Sequence, residues 1–425
     1  MEKDSVVRKK YSGIHFSVCD SLNSQPGITR MGEHSSGLLG ETRSIGCRCS
    51  MSLKRSLYLD QIKAVVVALV IALHVPIAFG DMGWIGAHIP IKGAVGPAFG
   101  GFFRWYMYAI NSFIMPMMFL ISGYFVPRSL HKKGVIRYLQ DRLTRLGIPF
   151  LAGLLLINNG SILLSRLSPN SPYVDMPWNR LPFNTVGVLW FLFVLFVFNL
   201  LYCGWVALRG DRYAVDATVP IPMMRSWVIS AVILGLIEVV MTTQTELWTA
   251  LAKSPLNGLG AQGMHVFTYA FLFFLGCKAS FHRWFERLDP HLVIKWIRLS
   301  MFLLLSLFGL FMTLSFHADL LDNPARFALL GNFLYPFIGW GVMSYLIMWF
   351  QRNEERFGQW LAIAGINSYG AYVIHSLVLV GVLLAVGLTG INPWLIAMIA
   401  TVLSTIFSFG LAGQLRRSPA VARIL

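Results

Sequence analysis

Beyond the first fifty residues, apolar positions come in long uninterrupted runs, without the alternation that marks a half-buried strand. Ten runs can be placed, near 62–79, 108–126, 147–164, 188–208, 227–242, 259–276, 299–315, 327–350, 360–385 and 394–413. Each is close to the length that crosses a bilayer as a helix, roughly 17–25 residues. Lipid offers no hydrogen bonds to exposed backbone, so the runs predict helices and exclude an open sheet. The expected fold class is all-α, a polytopic membrane bundle of about ten transmembrane helices. No internal repeat is visible, and no loop is large enough to form a separate domain.

Residues 1–50 have a different character, being polar and rich in Ser, Gly and Arg, without the apolar core of a signal peptide. They are expected to form a disordered extension. Met51 stands three residues before Lys54-Arg55 and the first apolar run. It is the expected true start, with 1–50 a mis-called extension; a targeting peptide is the other reading. The membrane domain then occupies 51–425.

Composition agrees with this division. Hydrophobic residues make up 56% of the chain and charged residues 13%, about half the share of a soluble domain. Mean hydropathy is +0.62. The net charge of +16 would raise nucleic-acid binding in a soluble protein, but no basic-aromatic recognition motif accompanies it. Its distribution gives the better explanation. Counted from residue 54, the first, third, fifth, seventh, ninth and last of the segments bounding the spans carry 22 Lys and Arg, and the alternate set carries 6. Cytoplasmic loops collect such residues, so both termini are expected on the cytoplasmic side. The five cysteines have neither metal-site spacing nor a disulfide framework, and no metal is expected.

Ionisable residues inside a span are costly and therefore candidates for function. The first span holds Asp60, Lys63 and, after ten residues, His74. Eleven residues are about three helical turns, so Lys63 and His74 share a face, ~16 Å apart along the axis. A cation at the cytoplasmic edge can grip an anionic donor while an imidazole near mid-membrane acts as general base. Equally, Lys63 can snorkel as an anchor and His74 can make a structural hydrogen bond. A second cluster runs from Ser122-Gly123-Tyr124 into a basic loop with Arg142 and Arg145. These two share a face if helical, and arginine forks bind phosphates, although a solvated basic loop explains them as well. In the ninth span Ser368, Tyr372 and His375 line one face, where His375 can meet His74 in a polar cavity or serve as packing glue. Glu238, His265 and Asn158-Asn159 read as structural or pore-lining. Trp190, at the outer edge of the fourth span, reads as an interface anchor or as a platform for a sugar ring.

Taken in order, these segments resemble the acyltransferase-3 family of bacterial membrane proteins. The matching pieces are Leu59-Asp60 with Lys63 and His74, then Phe119-Leu120-Ile121-Ser122-Gly123-Tyr124. They continue with Arg142-Leu143-Thr144-Arg145-Leu146 and Pro149, Leu189-Trp190-Phe191-Leu192, and Tyr372-Val373-Ile374-His375. The resemblance covers roughly 51–415 and includes the family's ten spans.

That resemblance implies transfer of an acyl group, most commonly acetyl, from cytoplasmic acyl-CoA to a hydroxyl of an extracytoplasmic glycan or glycolipid. Within it, His74 takes the place of the catalytic base or transient acyl acceptor, supported by Tyr372 and His375. Lys63, Arg142 and Arg145 take the donor-binding positions; Lys63 replaces the family's usual Arg and loses its bidentate fork. Trp190 and Ser122 are the substrate-side candidates. Acyl-CoA, acetyl-CoA first, is expected as a donor substrate with no permanently bound cofactor. The expected setting is the bacterial inner membrane, with the lipid bilayer and a glycan as partners and no nucleic acid. The end of the chain just after the last span reads as a stand-alone form without a hydrolase-like domain. Succinyl transfer to a periplasmic glucan is an alternative within the family, and a glycolipid or polysaccharide transporter is one outside it.

Overall fold

The computed structural model describes residues 57–79, 96–209, 216, 218–244, 265–317, 324–387 and 389–425, with backbone alone at 79 and 324–328. The extension at 1–50, Met51, Lys54, Arg55, Lys92, Lys253 and the cysteines at 19, 47 and 49 lie outside the described residues, as does the Arg326 side chain.

The described chain is a helical bundle. Its helices are α1 (Leu57–Phe79), α2 (Pro97–Asn111), α3 (Ile114–Lys133), α4 (Val135–Arg142), α5 (Ile148–Ala152), α6 (Asn159–Ser165) and α7 (Trp190–Arg209). They continue with α8 (Met224–Thr243), α9 (Val266–His282), α10 (Pro290–Phe316), α11 (Pro324–Arg352), α12 (Gly358–Gly387), α13 (Pro393–Leu415) and α14 (Pro419–Ile424). Among the described residues, nine helical stretches are long and apolar enough to cross a bilayer, and α9 is a shorter apolar helix. The chain is therefore an all-α, multi-pass membrane bundle.

Two boundaries differ from the sequence expectation, each for a local reason. The second run is broken at Ser112–Phe113 into α2 and α3. Pro116, in the first turn of α3, removes the N–H that the Ser112 carbonyl would otherwise receive. The Asn111 carbonyl instead accepts the Tyr335 hydroxyl at 2.5 Å. The third span is a continuous helix from Val135 to Ser165, wound as wide π-helix at Leu143–Gly147 and Gly153–Asn158. Elsewhere starts follow standard capping. Asp289 and Asn392 accept from the backbone N–H of His291 (3.0 Å) and Trp394 (2.9 Å), with Pro290 and Pro393 as the first helical residues.

Small residues set the closest approaches. Gly123 of α3 faces the backbone carbonyl of Phe273 on α9, and Gly276 of α9 faces that of Leu120 on α3. This reciprocal fit is how helices pack without a hydrophobic driving force between them. A methyl group at Gly123 would meet backbone that has no rotamer to yield. Gly123→Ala is therefore expected to destabilise the protein by about 1–3 kcal/mol. Fluorescence-detected gel filtration after heating in detergent measures this, and an unchanged midpoint would refute the tight fit. Gly365 of α12 meets the backbone of Asp60 in the same way, which draws α12 against α1.

One side of the bundle gathers the basic segments, joined by long-range contacts. Gln61 donates to the carbonyl of Glu354 at 2.9 Å, and Tyr124 donates to Glu286 at 2.6 Å. Lys133 pairs with Asp141 at 2.9 Å. The hydroxyl of Tyr369 donates to the carbonyl of Arg145 at 2.5 Å. At the opposite end Arg104 bonds Ser315 at 2.7 Å, and the amides of Asn159 and Asn184 pair at 3.0 Å. The outer faces of α10 and α13 expose Phe302, Leu305, Met398 and Ile406, as lipid-facing helices do.

Candidate active site

The approach of α12 to α1 at Gly365 brings two imidazoles together further along both helices. The rings of His74 and His375 lie 4.9 Å apart, centroid to centroid, inclined at 52°. His375 is completely buried, and His74 is half-buried. In each ring Nδ1 meets a carbonyl of its own helix: Val70 for His74 at 2.7 Å and Tyr372 for His375 at 2.5 Å. A carbonyl only accepts, so each Nδ1 carries the proton. In a neutral ring Nε2 is then the basic nitrogen. Pro76, two residues beyond His74, removes the helical donor for the carbonyl of Ala72.

Outward of the pair lies a packed apolar layer of Val75, Ala78, Phe99, Leu379, Leu383 and Ile396. It closes the space between α1, α2, α12 and α13. The helix Asn159–Ser165 borders α12 on another side, where Gly160 approaches Leu377. There the Asn158 amide donates to the carbonyls of Thr185 (2.7 Å) and Val186 (3.1 Å), fixing the loop that leads into α7.

The remaining sequence candidates fall into three places. Tyr372 is buried, and its hydroxyl donates to the carbonyl of Val188. It ties the His375 helix to the turn before α7. Ser368 is spent on its own helix, donating to Gly365 at 2.7 Å. Trp190 is 7% exposed and stacks on Tyr269 at 5.4 Å, with Phe119 at 6.1 Å. It is thus inside the bundle rather than on its outer surface. Ser122 is half-buried on α3, beside the Gly123 crossing.

At the basic side the Lys63 ammonium is 2.6 Å from the buried carboxylate of Asp60. It also lies over the Phe125 ring at 5.7 Å, so the first motif meets the residue that follows Ser122-Gly123-Tyr124. Arg142 stacks over Tyr138 at 4.9 Å, and the Tyr138 hydroxyl donates to Asn199 on α7. Arg145 is half exposed and pairs with Asp141 at 3.2 Å. Arg142 precedes a π-helical turn and Arg145 lies within it, a feature common at functional sites, and each holds its own partner. Tyr369, which links Arg145 to α12, was missed by sequence reasoning; its place one turn before Tyr372 was the available signal. Glu238 is completely buried and bonded to His265 at 2.7 Å, on helices that do not carry the histidine pair.

The model of an acyltransferase domain family matches residues 56–413, nearly all of the described chain. The chain belongs to the acyltransferase-3 family. Curated proteins named glucans biosynthesis protein C are also similar to it. Those of Salmonella schwarzengrund and Salmonella paratyphi B are each 26% identical, over 165 and 166 residues. Both alignments cover 36% of this chain and 40% of the relative, so the chain spans about two fifths of the length of these relatives. Membership places the paired histidines, the Asp60–Lys63 pair and the arginines of the π turn within an acyltransferase-3 domain.

Proposed function

We propose that the protein transfers an acyl group, acetyl first among the options, from cytoplasmic acyl-CoA to a hydroxyl of a glycan on the far side of the bacterial inner membrane. The observation that carries this reading is the meeting of His74 and His375 inside the bundle, on two helices whose other ends reach the basic side. Donor phosphates are held at Lys63, Arg142 and Arg145, and the thioester arm runs inward along α1. His74 Nε2 takes the proton of the acceptor hydroxyl as that oxygen attacks the thioester carbonyl. The carbon–sulfur bond then breaks, the new ester keeps the acyl group, and the proton passes to the departing thiolate. His375 holds the orientation of His74, and Tyr372 holds that of His375. The acceptor enters beside α6, because the apolar layer closes the direct outward path.

The name of the Salmonella relatives favours a glucan as acceptor, and with it a succinyl group as the second option for the donor. Mass spectrometry of envelope glycans from a deletion strain, complemented with the wild-type gene, decides both. A mass of one acyl group per sugar is expected to vanish and return, and its value names the group. Unchanged glycans, together with movement of an unmodified glycolipid across the membrane, would instead establish a transporter.

The donor grip has its own test. Lys63→Arg retains the charge beside Asp60 and is expected to keep acylation. Lys63→Met removes a charge-assisted bond and is expected to raise the KM for acyl-CoA at least about tenfold, with the protein still inserted. Equal KM values in steady-state assays of purified protein would remove Lys63 from the donor site.

A further inference from the structure

A second cavity lies away from the histidine pair. It measures about 730 Å³ and is bounded by α3, α8, α9, α11, the segment Val219–Pro222 and the segment Trp284–Leu288. Its walls are apolar, dominated by Trp227, Phe271, Phe274 and Trp340, and softened by the hydroxyls of Ser230 and Ser344. The volume lies within the range of small-molecule sites. Among the described residues, the one charged side chain that lines it is Lys278, which is exposed and lies 5.6 Å from the Trp284 ring centroid. Among the described residues no carboxylate pairs with this ammonium. Arg225, next to the lining residue Ser226, and Arg283 are also exposed on this basic side.

We propose that this cavity is a binding site for an anionic phospholipid, with an acyl chain among the aromatic walls and the phosphate at Lys278. Three features choose this occupant. The walls suit a hydrocarbon chain, whose burial is favourable per unit of apolar area. The single cation stands on the side where the positive-inside distribution puts the cytoplasmic leaflet, whose surface is negative and whose lipids occupy basic pockets between helices. Finally, no residue of α1 or α12 lines the cavity, so a thioester lodged there does not lie against His74. That argues against the donor as its occupant. The proposal is independent of the acyl-transfer reading.

The test is native mass spectrometry of the full chain in detergent, titrated with phosphatidylglycerol and with phosphatidylcholine of identical chains. The wild type is expected to retain phosphatidylglycerol preferentially. Lys278→Gln is expected to lower that affinity about fivefold, the weight of one basic side chain at an anionic surface, and Lys278→Arg to preserve it. Phosphatidylglycerol brominated along its chain is expected to quench tryptophan fluorescence in the wild type, and less in a Ser230→Phe variant that fills the cavity. Equal retention of both lipids, no effect of Lys278→Gln, or displacement of the lipid by acetyl-CoA would each overturn the proposal.

Discussion

Alanine at His74 is expected to abolish acylation of the acceptor while leaving the protein inserted and folded. A positioned general base contributes about 10²–10⁴-fold, and no neighbouring group replaces it in kind. His375 is engaged at Nδ1 by the Tyr372 carbonyl and completely buried. His74 is half-buried and is the ring that a substrate can approach. Removing the His74 ring opens space beside His375 without exposing a charge, so the fold is expected to survive. His375→Ala acts differently. It takes away the ring that packs 4.9 Å from His74, and its expected effect is a smaller loss, expressed in kcat with the KM for acyl-CoA unchanged. Complementation of a deletion strain, read by glycan mass spectrometry, and steady-state kinetics on purified protein separate the two. Normal acylation with His74→Ala would overturn the assignment even though family membership stands.

Much of this arrangement was legible in the sequence because the physics behind it is local. Run length predicts the spans, and the Lys and Arg distribution predicts which helix ends share a side. The spacing of Asp60 and Lys63, one turn apart, predicts the pairing seen at 2.6 Å. The meeting of His74 with His375 depends on more than spacing. It requires α12 to approach α1 closely, which Gly365 permits by lying against the Asp60 backbone, and nothing in a single sequence marks that crossing. The two π-helical turns at 143–147 and 153–158 were equally hidden, because the apolar period there reads as ordinary α-helix. The packing of Trp190 was hidden for a related reason: its position at the start of a span reads as the membrane rim, whereas the indole stacks on Tyr269 inside the bundle.

Glu238 shows the other kind of information a sequence withholds, the identity of a distant partner. An acid within a span needs one, and the structure supplies several. One carboxylate oxygen accepts from the Thr268 hydroxyl, and the other lies 2.7 Å from His265 Nδ1. The His265 ring stacks on Tyr335 at 4.5 Å, nearly parallel, and the Tyr335 hydroxyl reaches Asn111 at the end of α2. The Glu238 carbonyl accepts from Thr242 at 2.7 Å, and Thr242 accepts from Asn332 at 2.7 Å. The network thus joins α2, α8, α9 and α11 through completely buried or half-buried groups. Glu238→Ala leaves the imidazole and a hydroxyl without their acceptor, and breaking a buried pair on one side costs about 3–5 kcal/mol. The thermal midpoint in detergent is expected to fall accordingly. Glu238→Gln keeps the shape and a hydrogen bond and is expected to lose less. The double variant Glu238→Ala/His265→Ala is expected to lose less than the sum of the two single variants, because the imidazole orphaned by the first change is removed by the second. Strict additivity in that cycle would show the two side chains to be uncoupled, and would leave the joining of these helices to apolar packing and the remaining hydrogen bonds of Tyr335 and Asn332.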